Sequence, residues 1–468
     1  MLEFKNYSFE NLIEVKPYIN KCPYLCSDIS LGTFFMWNTN LKPQFAVFNN
    51  TFIVKETFGD NVFFSYPYGE DVSGAVAALE EYVRSNNLPL KFFGVSEELL
   101  EQIKSSKTFE FLNASYDRNW SDYIYDFNDI LTFKGNKYKG QRNHINKFKK
   151  LYGEPEFKKI EREDIPLIKQ MLSVYESKQL KESYFAQKEF KYTQNMLDAF
   201  LDLGLVGVLL KKDDRVISFS IGEIRQDMLI IHVEKALKEY QGAYPTTFNG
   251  FVKYVNDNFG PLKYINREDD SGDLGLRTSK MQYNPIILLN KYSVKVNSPV
   301  NKVEDIPDLC FEDFCLTKIT EADKYEYMCL NTDIENNKYW GYDYREDKSI
   351  SEVNEDTFFD GVMHDWAMGE SVNFAIRESK GSKMIGEVII YRFNFNGTAE
   401  IGCRLAKEHQ GKGLGKKAFA AGADFAEKHL GVKLTARCFK ENTPSYRMIT
   451  SCGFKKINED EKFYYFER

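Results

Sequence analysis

The segment Gln410-Gly411-Lys412-Gly413-Leu414-Gly415 decides the fold of the C-terminal third of the chain. It follows a strand-like run at 399–405 and precedes a helical pattern in which apolar residues from Leu414 to Phe425 recur at spacings of four, three and four. Glycines in such a position let backbone N–H groups approach a phosphate, and the N-terminus of the helix adds a positive dipole. The segment therefore predicts a phosphate-binding loop, although it matches neither the dinucleotide-binding GxGxxG pattern nor a Walker loop.

The hydrophobic periodicity on both sides of this loop predicts a mixed α/β module. Alternating residues indicate strands at 314–317, 373–377, 385–395, 399–405, 434–438 and 463–466. An acidic helix start at 321–323 and Gly431 at a C-cap position are typical helix boundaries. The order β-α-α-β-β-β-α-β-α-β-β is that of an α/β fold built on a mixed sheet.

An internal repeat extends this architecture toward the N-terminus. Lys238-Glu239-Tyr240-Gln241-Gly242 agrees with Lys407-Glu408-His409-Gln410-Gly411 at four of five positions, and each copy follows a strand-like run and precedes a helix-length segment. Upstream of the first copy, 211–215 is typical of a hairpin turn. We therefore expect three copies of one architecture. The expected domains are 1–132, which is a degenerate copy, 133–297 and 298–468.

The composition of the chain limits its function. With 468 residues, of which 43% are hydrophobic, it is long enough for two or three domains. Its 62 basic and 69 acidic side chains give a net charge of −7, so no global basic character indicates nucleic-acid binding. No apolar run reaches the roughly 18 residues of a membrane-spanning helix, and no secretory signal is evident, so we expect a cytoplasmic protein. The eight scattered cysteines predict reduced thiols and no metal site.

The C-terminal module resembles the GNAT superfamily of acetyl-CoA-dependent N-acyltransferases. The residues that match the signatures of that family are Gln410, Gly413, Gly415, Asn442, Ser445, Gly453 and Phe454. The segments 374–377, 385–388 and 399–402 are more similar to the subgroup that acetylates ribosomal-protein N-termini. Together with the repeat, the resemblance implies a tandem of GNAT-like folds.

This resemblance also implies where acetyl-CoA would bind. Backbone groups of the strand around Cys403 and Leu405 would contact the pantetheine and the thioester oxygen, whose developing negative charge they would stabilise. The residues implied in donor binding are Cys403, Leu405, Gln410, Gly411, Lys412, Gly413, Leu414, Gly415, Lys416 and Asn442.

The catalytic groups are less well defined. An ammonium acceptor needs a base before it can attack the thioester, and Glu400 and Glu387 are candidates, with a solvated strand-face position as the alternative for each. Many family members carry a Tyr seven residues after Asn442 as the acid for the leaving thiolate, but Ile449 stands at that place. We expect Ser445 or water to protonate the thiolate instead.

The N-terminal two-thirds contains two polar clusters. Residues 134–150 carry seven Lys or Arg side chains and no acid, which can hold phosphates, with a solvated helix face as the alternative. The second cluster, at 264–270 with Arg277, is either a salt-bridge network or a polar substrate site.

Segments of this region resemble the soluble family related to the C-terminal domain of phosphatidylglycerol lysyltransferase. The resemblance is carried by 122–125, 142–148, 232–236, 242–244, 266–270 and 275–277. Those proteins are tandem GNAT-like folds, and the lysyltransferase moves lysine from lysyl-tRNA to a lipid headgroup. The resemblance implies a substrate site that includes Arg142, His144, Lys147, Lys235, Arg267, Asp269 and Arg277. Ala243 and Tyr244 replace the glycine signature, so acetyl-CoA is not expected in this half.

We therefore expect an acetyl-CoA-dependent N-acetyltransferase that acts on a primary amine of a protein N-terminus, a peptide or a small molecule. An aminoacyl-tRNA-dependent aminoacyltransferase that works through residues 1–297 is one alternative, with tRNA or another phosphate-bearing ligand on 134–150. A non-catalytic binding or scaffold protein is the other. Trp340 and Trp366 fall in the region where acceptors enter such folds, and each is either a core residue or an acceptor contact.

Overall fold

The computed structural model describes residues 2–59, 61–179, 184–341, 343–346 and 353–468. The strands are β1 (Lys5–Asn6), β2 (Gln44–Phe48), β3 (Thr51–Phe58), β4 (Asn61–Ser65), β5 (Tyr68–Gly69), β6 (Lys91–Val95), β7 (Leu112–Tyr116), β8 (Asp122–Asp126), β9 (Glu156–Lys159), β10 (Val206–Lys212), β11 (Arg215–Arg225), β12 (Met228–Ala236), β13 (Tyr264–Asn266), β14 (Ile287–Leu289), β15 (Tyr292–Val296), β16 (Leu309–Cys310), β17 (Cys315–Lys318), β18 (Ser371–Arg377), β19 (Gly386–Tyr391), β20 (Thr398–Leu405), β21 (Lys433–Phe439), β22 (Lys455–Glu459) and β23 (Phe463–Glu467).

The helices alternate with these strands along the chain. They are α1 (Leu12–Asn20), α2 (Leu31–Leu41), α3 (Val72–Ser85), α4 (Glu97–Ser106), α5 (Phe127–Thr132), α6 (Lys139–Tyr152), α7 (Ile165–Gln179), α8 (Tyr184–Leu203), α9 (Ala243–Phe259), α10 (Leu274–Met281), α11 (Lys324–Thr332), α12 (Ile334–Asn337), α13 (Glu355–Ala367), α14 (Leu414–Phe425) and α15 (Thr443–Ser451).

The chain divides into two units. The first comprises Met1–Ala78, Phe92–Gln102 and Tyr116–Ser293, and the second comprises Leu79–Lys91, Ile103–Ser115 and Val294–Arg468. The division into domains at 1–132, 133–297 and 298–468 stays a prediction.

One arrangement of strands occurs three times. In each copy three antiparallel strands are followed by a helix and then by a fourth strand that is parallel to the third. The copies are β2–β3–β4 with α3 and β6, β10–β11–β12 with α9 and β13, and β18–β19–β20 with α14 and β21. A parallel pair needs such a crossover because the chain must return to the same end of the sheet. The predicted α/β fold with three GNAT-like copies is confirmed.

Strand β18 shows how the core of the C-terminal copy forms. Val372, Phe374 and Ile376 pack into one apolar cluster that includes residues of α14. Ala375 lies in a second cluster, with residues of α11 and α13. Since successive strand residues point to opposite faces, β18 is covered by helices on both sides and is buried along its whole length.

Several local predictions hold in the structure. The hairpin at 211–215 joins β10 to β11, and its Asp213 and Asp214 have φ angles of 48° and 60°, as a two-residue hairpin turn requires. Gly431 ends the helical segment that follows α14, with φ 66°.

The prediction of eight reduced thiols is wrong for one pair of cysteines. Cys310 and Cys315 lie directly opposite each other on β16 and β17, with Cα atoms 4.1 Å apart, and form a disulfide. The two cysteines are only five positions apart in the sequence, but this spacing alone shows neither the hairpin nor the register that sets them opposite each other. The other six cysteines are free.

Candidate functional site

The glycine loop of the C-terminal unit is open at the start of α14. Gly411 and Gly413 have φ angles of 76° and 80°, and among the described residues no heavy atom lies within 4 Å of the position that a Cβ would take at either glycine. Gly413 is the N-cap of α14, whose first N–H groups have no partner within the helix. Lys412 and Lys416 are exposed beside it. These features fit the binding of a pyrophosphate.

Strands β20 and β21 pair only through their first three residues, and the space between their unpaired ends, 401–405 and 436–439, is termed the gap. The parallel ladder joins Thr398, Ala399 and Glu400 to residues 433–435 and ends there. The Ala406 N–H donates to Ile385 O, on the β19 side of the strand. Because backbone groups alternate in direction along a strand, those of Cys403 and Leu405 point away from β19 and toward the gap. Two of the predicted donor-binding residues therefore present backbone groups to it.

A three-way contact connects the loop to β20 and α12. Leu405 O accepts a hydrogen bond of 2.9 Å from Gln410 Nε2 and another of 2.9 Å from Asn336 Nδ2. Gln410 Nε2 also lies 2.6 Å from Asn336 Oδ1. Gln410, the first residue of the signature, thus fixes the end of β20 rather than pointing into solvent.

The remaining donor-side residues lie on α14 and α15. Asn442 caps α15, and its Oδ1 accepts from the Ser445 N–H at 3.2 Å. Cys403 Sγ lies 3.7 Å from Gly415 O, and burial raises the pKa of Cys403 to about 12, so the thiol stays protonated at neutral pH. Ile449 is buried in the apolar core, so the position that often carries a Tyr contributes packing here.

The two candidate carboxylates have different surroundings. Glu387, whose side chain is 1% exposed, accepts from Tyr327 Oη at 2.9 Å, from Asn373 Nδ2 at 2.6 Å and from Arg404 at 2.7 and 3.0 Å. Glu387 is therefore fully engaged by its neighbours.

Glu400 lies at the point where β20 and β21 separate. Its Oε1 accepts from Tyr391 Oη at 2.7 Å and lies 3.1 Å from Arg437 Nε, and its Oε2 accepts from Arg392 Nη1 at 3.1 Å. Glu400 is thus engaged by its neighbours as Glu387 is, but its side chain is 13% exposed and lies next to the gap.

Trp340 and Trp366 have different roles. Trp366 packs partly buried against the apolar core. The guanidinium carbon of Arg404 lies 4.4 Å from the centre of the Trp340 ring. A Cβ at Gly402 would lie 3.3 Å from the same ring. Trp340 thus lies beside β20, on the face that carries Glu400 and Arg404.

The predicted residues of the N-terminal site fall into separate sets of contacts. Arg142 donates to the carbonyls of Phe133 and Gly135 and so caps α5. His144 and Lys147 are exposed on α6. The remaining pairs are Lys235 with Glu189 at 2.7 Å, Arg267 with Glu234 at 3.0 Å, Arg277 with Asp270 at 2.9 Å, and Asp269 with Ser271 at 3.0 Å.

A buried charge network, for which the sequence gives no spacing signal, lies in the same unit. The His232 ring has its Nδ1 2.8 Å from Glu268 Oε1 and its Nε2 3.5 Å from Glu223 Oε2. Burial alone would lower the pKa of His232, but the two carboxylates outweigh it and raise the pKa to about 9. His232 is therefore an imidazolium at neutral pH.

The N-terminus of α9 is covered, unlike that of α14. Gly242 is its N-cap with φ 86°, and a Cβ at Gly242 would overlap His144 O and approach the side chain of Phe148, both on α6. Ala243 and Phe148 share one apolar cluster. The place that corresponds to the open glycine loop is filled by α6.

The part of the chain that the structure describes contains neither a metal-binding cluster of side chains nor a membrane-spanning helix. No group of three or more His, Cys, Asp or Glu side chains could hold a metal ion in that part of the chain. None of the described helices is both long and apolar enough to cross a bilayer.

Two family models match the chain. The model for the C-terminal region of phosphatidylglycerol lysyltransferase matches residues 25–295, and the model for the GNAT acetyltransferase domain matches residues 313–455.

Individual relatives are similar to part of the chain. A crystal structure of a conserved protein of unknown function from Bacteroides thetaiotaomicron is 26% identical, with a TM-score of 0.58, over 64% of this chain and 100% of that chain. The structure of L-PGS from Bacillus licheniformis is 14% identical, with a TM-score of 0.44, over 62% of this chain and 94% of that chain. An uncharacterised protein of Mycoplasmoides gallisepticum is 25% identical over 198 residues, which are 42% of this chain, and the match spans 62% of the length of that relative.

Proposed function

The chain belongs to the phosphatidylglycerol lysyltransferase C-terminal family and is an enzyme of the acyltransferase class, and from this premise we propose that residues 298–468 form an acetyl-CoA-dependent N-acetyltransferase that acts on a primary amine. The observation that carries the proposal is the gap between β20 and β21, which adjoins the open N-terminus of α14. A donor with a thioester at one end and a pyrophosphate further along fits both features at once.

The donor would be held mainly by backbone groups. The N–H groups of residues 411–415 and of the first turn of α14 would bind the pyrophosphate, with Lys412 and Lys416 adding positive charge. Acetyl-CoA supplies an acetyl group activated as a thioester. Backbone groups of Cys403 and Leu405 face the gap, where an N–H can donate to the thioester oxygen as negative charge develops on it.

The acceptor amine would approach beside Glu400. An ammonium group must lose a proton before its nitrogen can attack, and Glu400, directly or through a water molecule, is the carboxylate beside the gap that can take it. The C–N bond of the amide forms while the C–S bond breaks, and the leaving thiolate takes a proton from Ser445 or from water. Glu387 would act through Arg404 to hold β20 in place.

Titration of acetyl-CoA into the full chain, followed by thiol release with a panel of amines and peptides, tests this proposal. We expect saturable binding and acetyl transfer that falls at least tenfold in Glu400→Gln. Tight binding without transfer to any amine would remove the N-acetyltransferase assignment. Absence of binding would remove acetyl-CoA as the donor.

A second candidate function is aminoacyl transfer from aminoacyl-tRNA through residues 25–295. Family membership supports it, as do the exposed lysines on α6, where Lys139, Lys147 and Lys150 recur at spacings of eight and three. Arg142 and Lys149 do not belong to this set, because Arg142 caps α5 and Lys149 pairs with Glu154 at 2.7 Å.

A gel-shift titration of tRNA against the full chain tests this second function. We expect binding that weakens with salt and is lost when Lys139, Lys147 and Lys150 are changed to Gln, since each removes a phosphate contact. Changing the exposed Lys16, Lys21 and Lys42 to Gln removes the same charge elsewhere and serves as the control. No shift of the wild type at low salt would exclude tRNA as a ligand.

A further inference from the structure

The face of the sheet beside Glu400 is walled by aromatic side chains. The Tyr339 ring lies 5.5 Å from that of Phe439, which in turn lies 4.4 Å from that of Phe463. Trp340 lies beside Gly402, which has no side chain to cover β20 at that point. All four rings are partly exposed. An acceptor on this face would meet flat apolar surfaces on both sides of the gap.

The charges on this face do not suit a polyamine. The two carboxylates that β19 and β20 place there, Glu387 and Glu400, both contact guanidinium groups. Glu441, on the segment between β21 and α15, lies 3.4 Å from Tyr339 Oη. A polyamine carries ammonium groups besides the one that reacts, and at Glu387 and Glu400 these would have to displace the arginines that already contact the carboxylates, which leaves Glu441 as a carboxylate they could meet.

Arg437 offers a positively charged contact for an acidic group of the acceptor. Its Nε lies 3.1 Å from Glu400 Oε1, its guanidinium lies 5.0 Å from the Phe463 ring centre, and its side chain is 27% exposed. A guanidinium has five N–H donors in a planar fork, of which the contact through Nε uses one. The two Nη groups form the edge that matches a carboxylate in bidentate geometry.

We propose that Arg437 selects acceptors that carry a carboxylate near the amine, so that the substrate class of this site is α-amino acids. The proposal rests on the proposed N-acetyltransferase function and specifies its acceptor. The carboxylate pairs with the Nη edge of Arg437 while the amine lies beside Glu400, which Arg437 itself contacts. The side chain of the amino acid packs between Trp340 and Phe439.

Matched acceptors with and without the carboxylate test this assignment on the full chain. Tyrosine, phenylalanine and histidine are compared with tyramine, phenethylamine and histamine, and spermidine is a seventh acceptor. Thiol release from acetyl-CoA gives kcat/KM for each. We expect each amino acid to exceed its decarboxylated partner at least tenfold, even though its amine is no more nucleophilic.

Variants at Arg437 are compared by the ratio of kcat/KM within each pair of acceptors. A general loss of activity would leave this ratio unchanged. In Arg437→Gln we expect the ratio of kcat/KM between each amino acid and its decarboxylated partner to approach one, because KM for the amino acid rises. In Arg437→Lys we expect this ratio to recover in part. Arg447→Gln removes an exposed arginine on α15 and should leave the ratios unchanged. Thermal unfolding checks that each variant is folded.

The outcomes separate this inference from the function on which it rests. Equal or better use of the decarboxylated amines or of spermidine would overturn the role of Arg437 and leave the acetyltransferase in place. Binding of acetyl-CoA without transfer to any of the seven acceptors would also overturn α-amino acids as the class. Absence of acetyl-CoA binding would show instead that the proposed function itself has failed.

Discussion

Replacing Gly413 with alanine separates donor binding from folding. Gly413 has φ 80°, in the left-handed region, and among the described residues nothing lies within 4 Å of its Cβ position. Alanine at such an angle costs about 1–2 kcal/mol of stability and meets no clash in the free protein. We therefore expect a folded variant with a modest loss of stability.

The effect on the donor should be much larger. A methyl group at the N-cap of α14 projects from the loop that would cradle the pyrophosphate, so at least one N–H can no longer reach it. Loss of a hydrogen bond to a charged group costs roughly 1.5–3 kcal/mol, which corresponds to about 10- to 150-fold weaker binding. Isothermal titration with acetyl-CoA measures this change, and urea unfolding measures the stability.

Gly397→Ala is the matched control. Gly397 has φ 71° and equally open surroundings among the described residues, but it precedes β20, whose eight residues place it about 25 Å from the loop. The Gly397→Ala variant should lose about as much stability as Gly413→Ala and keep the wild-type affinity for acetyl-CoA. Wild-type affinity in Gly413→Ala, or an equal loss in both variants, would refute the placement of the pyrophosphate at this loop.

Three further predictions concern the fold around the sites. Gly242→Ala should lower the free energy of unfolding in urea by about 2–5 kcal/mol, because its Cβ would overlap His144 O and because φ is 86° at this position. A loss of stability no greater than that of Gly397→Ala would contradict the close contact with α6. Arg404→Met should cost about 3–5 kcal/mol in the same assay, since it leaves Glu387 buried and unpaired, and the double variant with Glu387→Gln should regain most of this loss. The stabilisation from His232 should be complete below about pH 6.5 and decline as the pH rises through about 9, because its pKa is raised in the folded state. The difference in unfolding free energy between the wild type and His232→Gln should therefore shrink by about 3 kcal/mol between pH 6 and pH 9, and a constant difference would show that His232 is not charged when buried.

The features that the sequence predicts well are local ones. The strand, glycine loop and helix around Gln410 depend on residues within about 30 positions, and the periodicity there places β20, α14 and β21 correctly. The two resemblances, carried by short motifs, are confirmed by the family models. The repeat also predicts a strand, a helix and a further strand around the first copy of the motif, and β12, α9 and β13 follow in that order.

The features that the sequence does not predict depend on residues far apart in the chain. Glu223, His232 and Glu268 form one network only because β12 lies between its neighbouring strands. The contacts of Glu400 with Arg392 and Arg437 likewise join β20 to residues on both sides of it in the sheet. A charge pattern along the chain does not show which opposite charges pair, because the pairing is set by register across strands.

The two copies of the Lys-Glu-x-Gln-Gly motif differ in how accessible the start of the following helix is. Both precede a helix whose N-cap is a glycine with a positive φ, Gly242 before α9 and Gly413 before α14. The two helices therefore share a glycine N-cap, although Gly242 ends its motif while Gly413 lies two positions after its motif. They differ in what lies over them, since α6 packs against Gly242 while the space around Gly413 is open among the described residues. The basic segment at 134–150 supplies most of that covering helix, so its buried face covers Gly242 while Lys139, Lys147 and Lys150 stay exposed. Accessibility of the helix N-terminus, more than the motif itself, therefore favours the C-terminal copy as the proposed donor site.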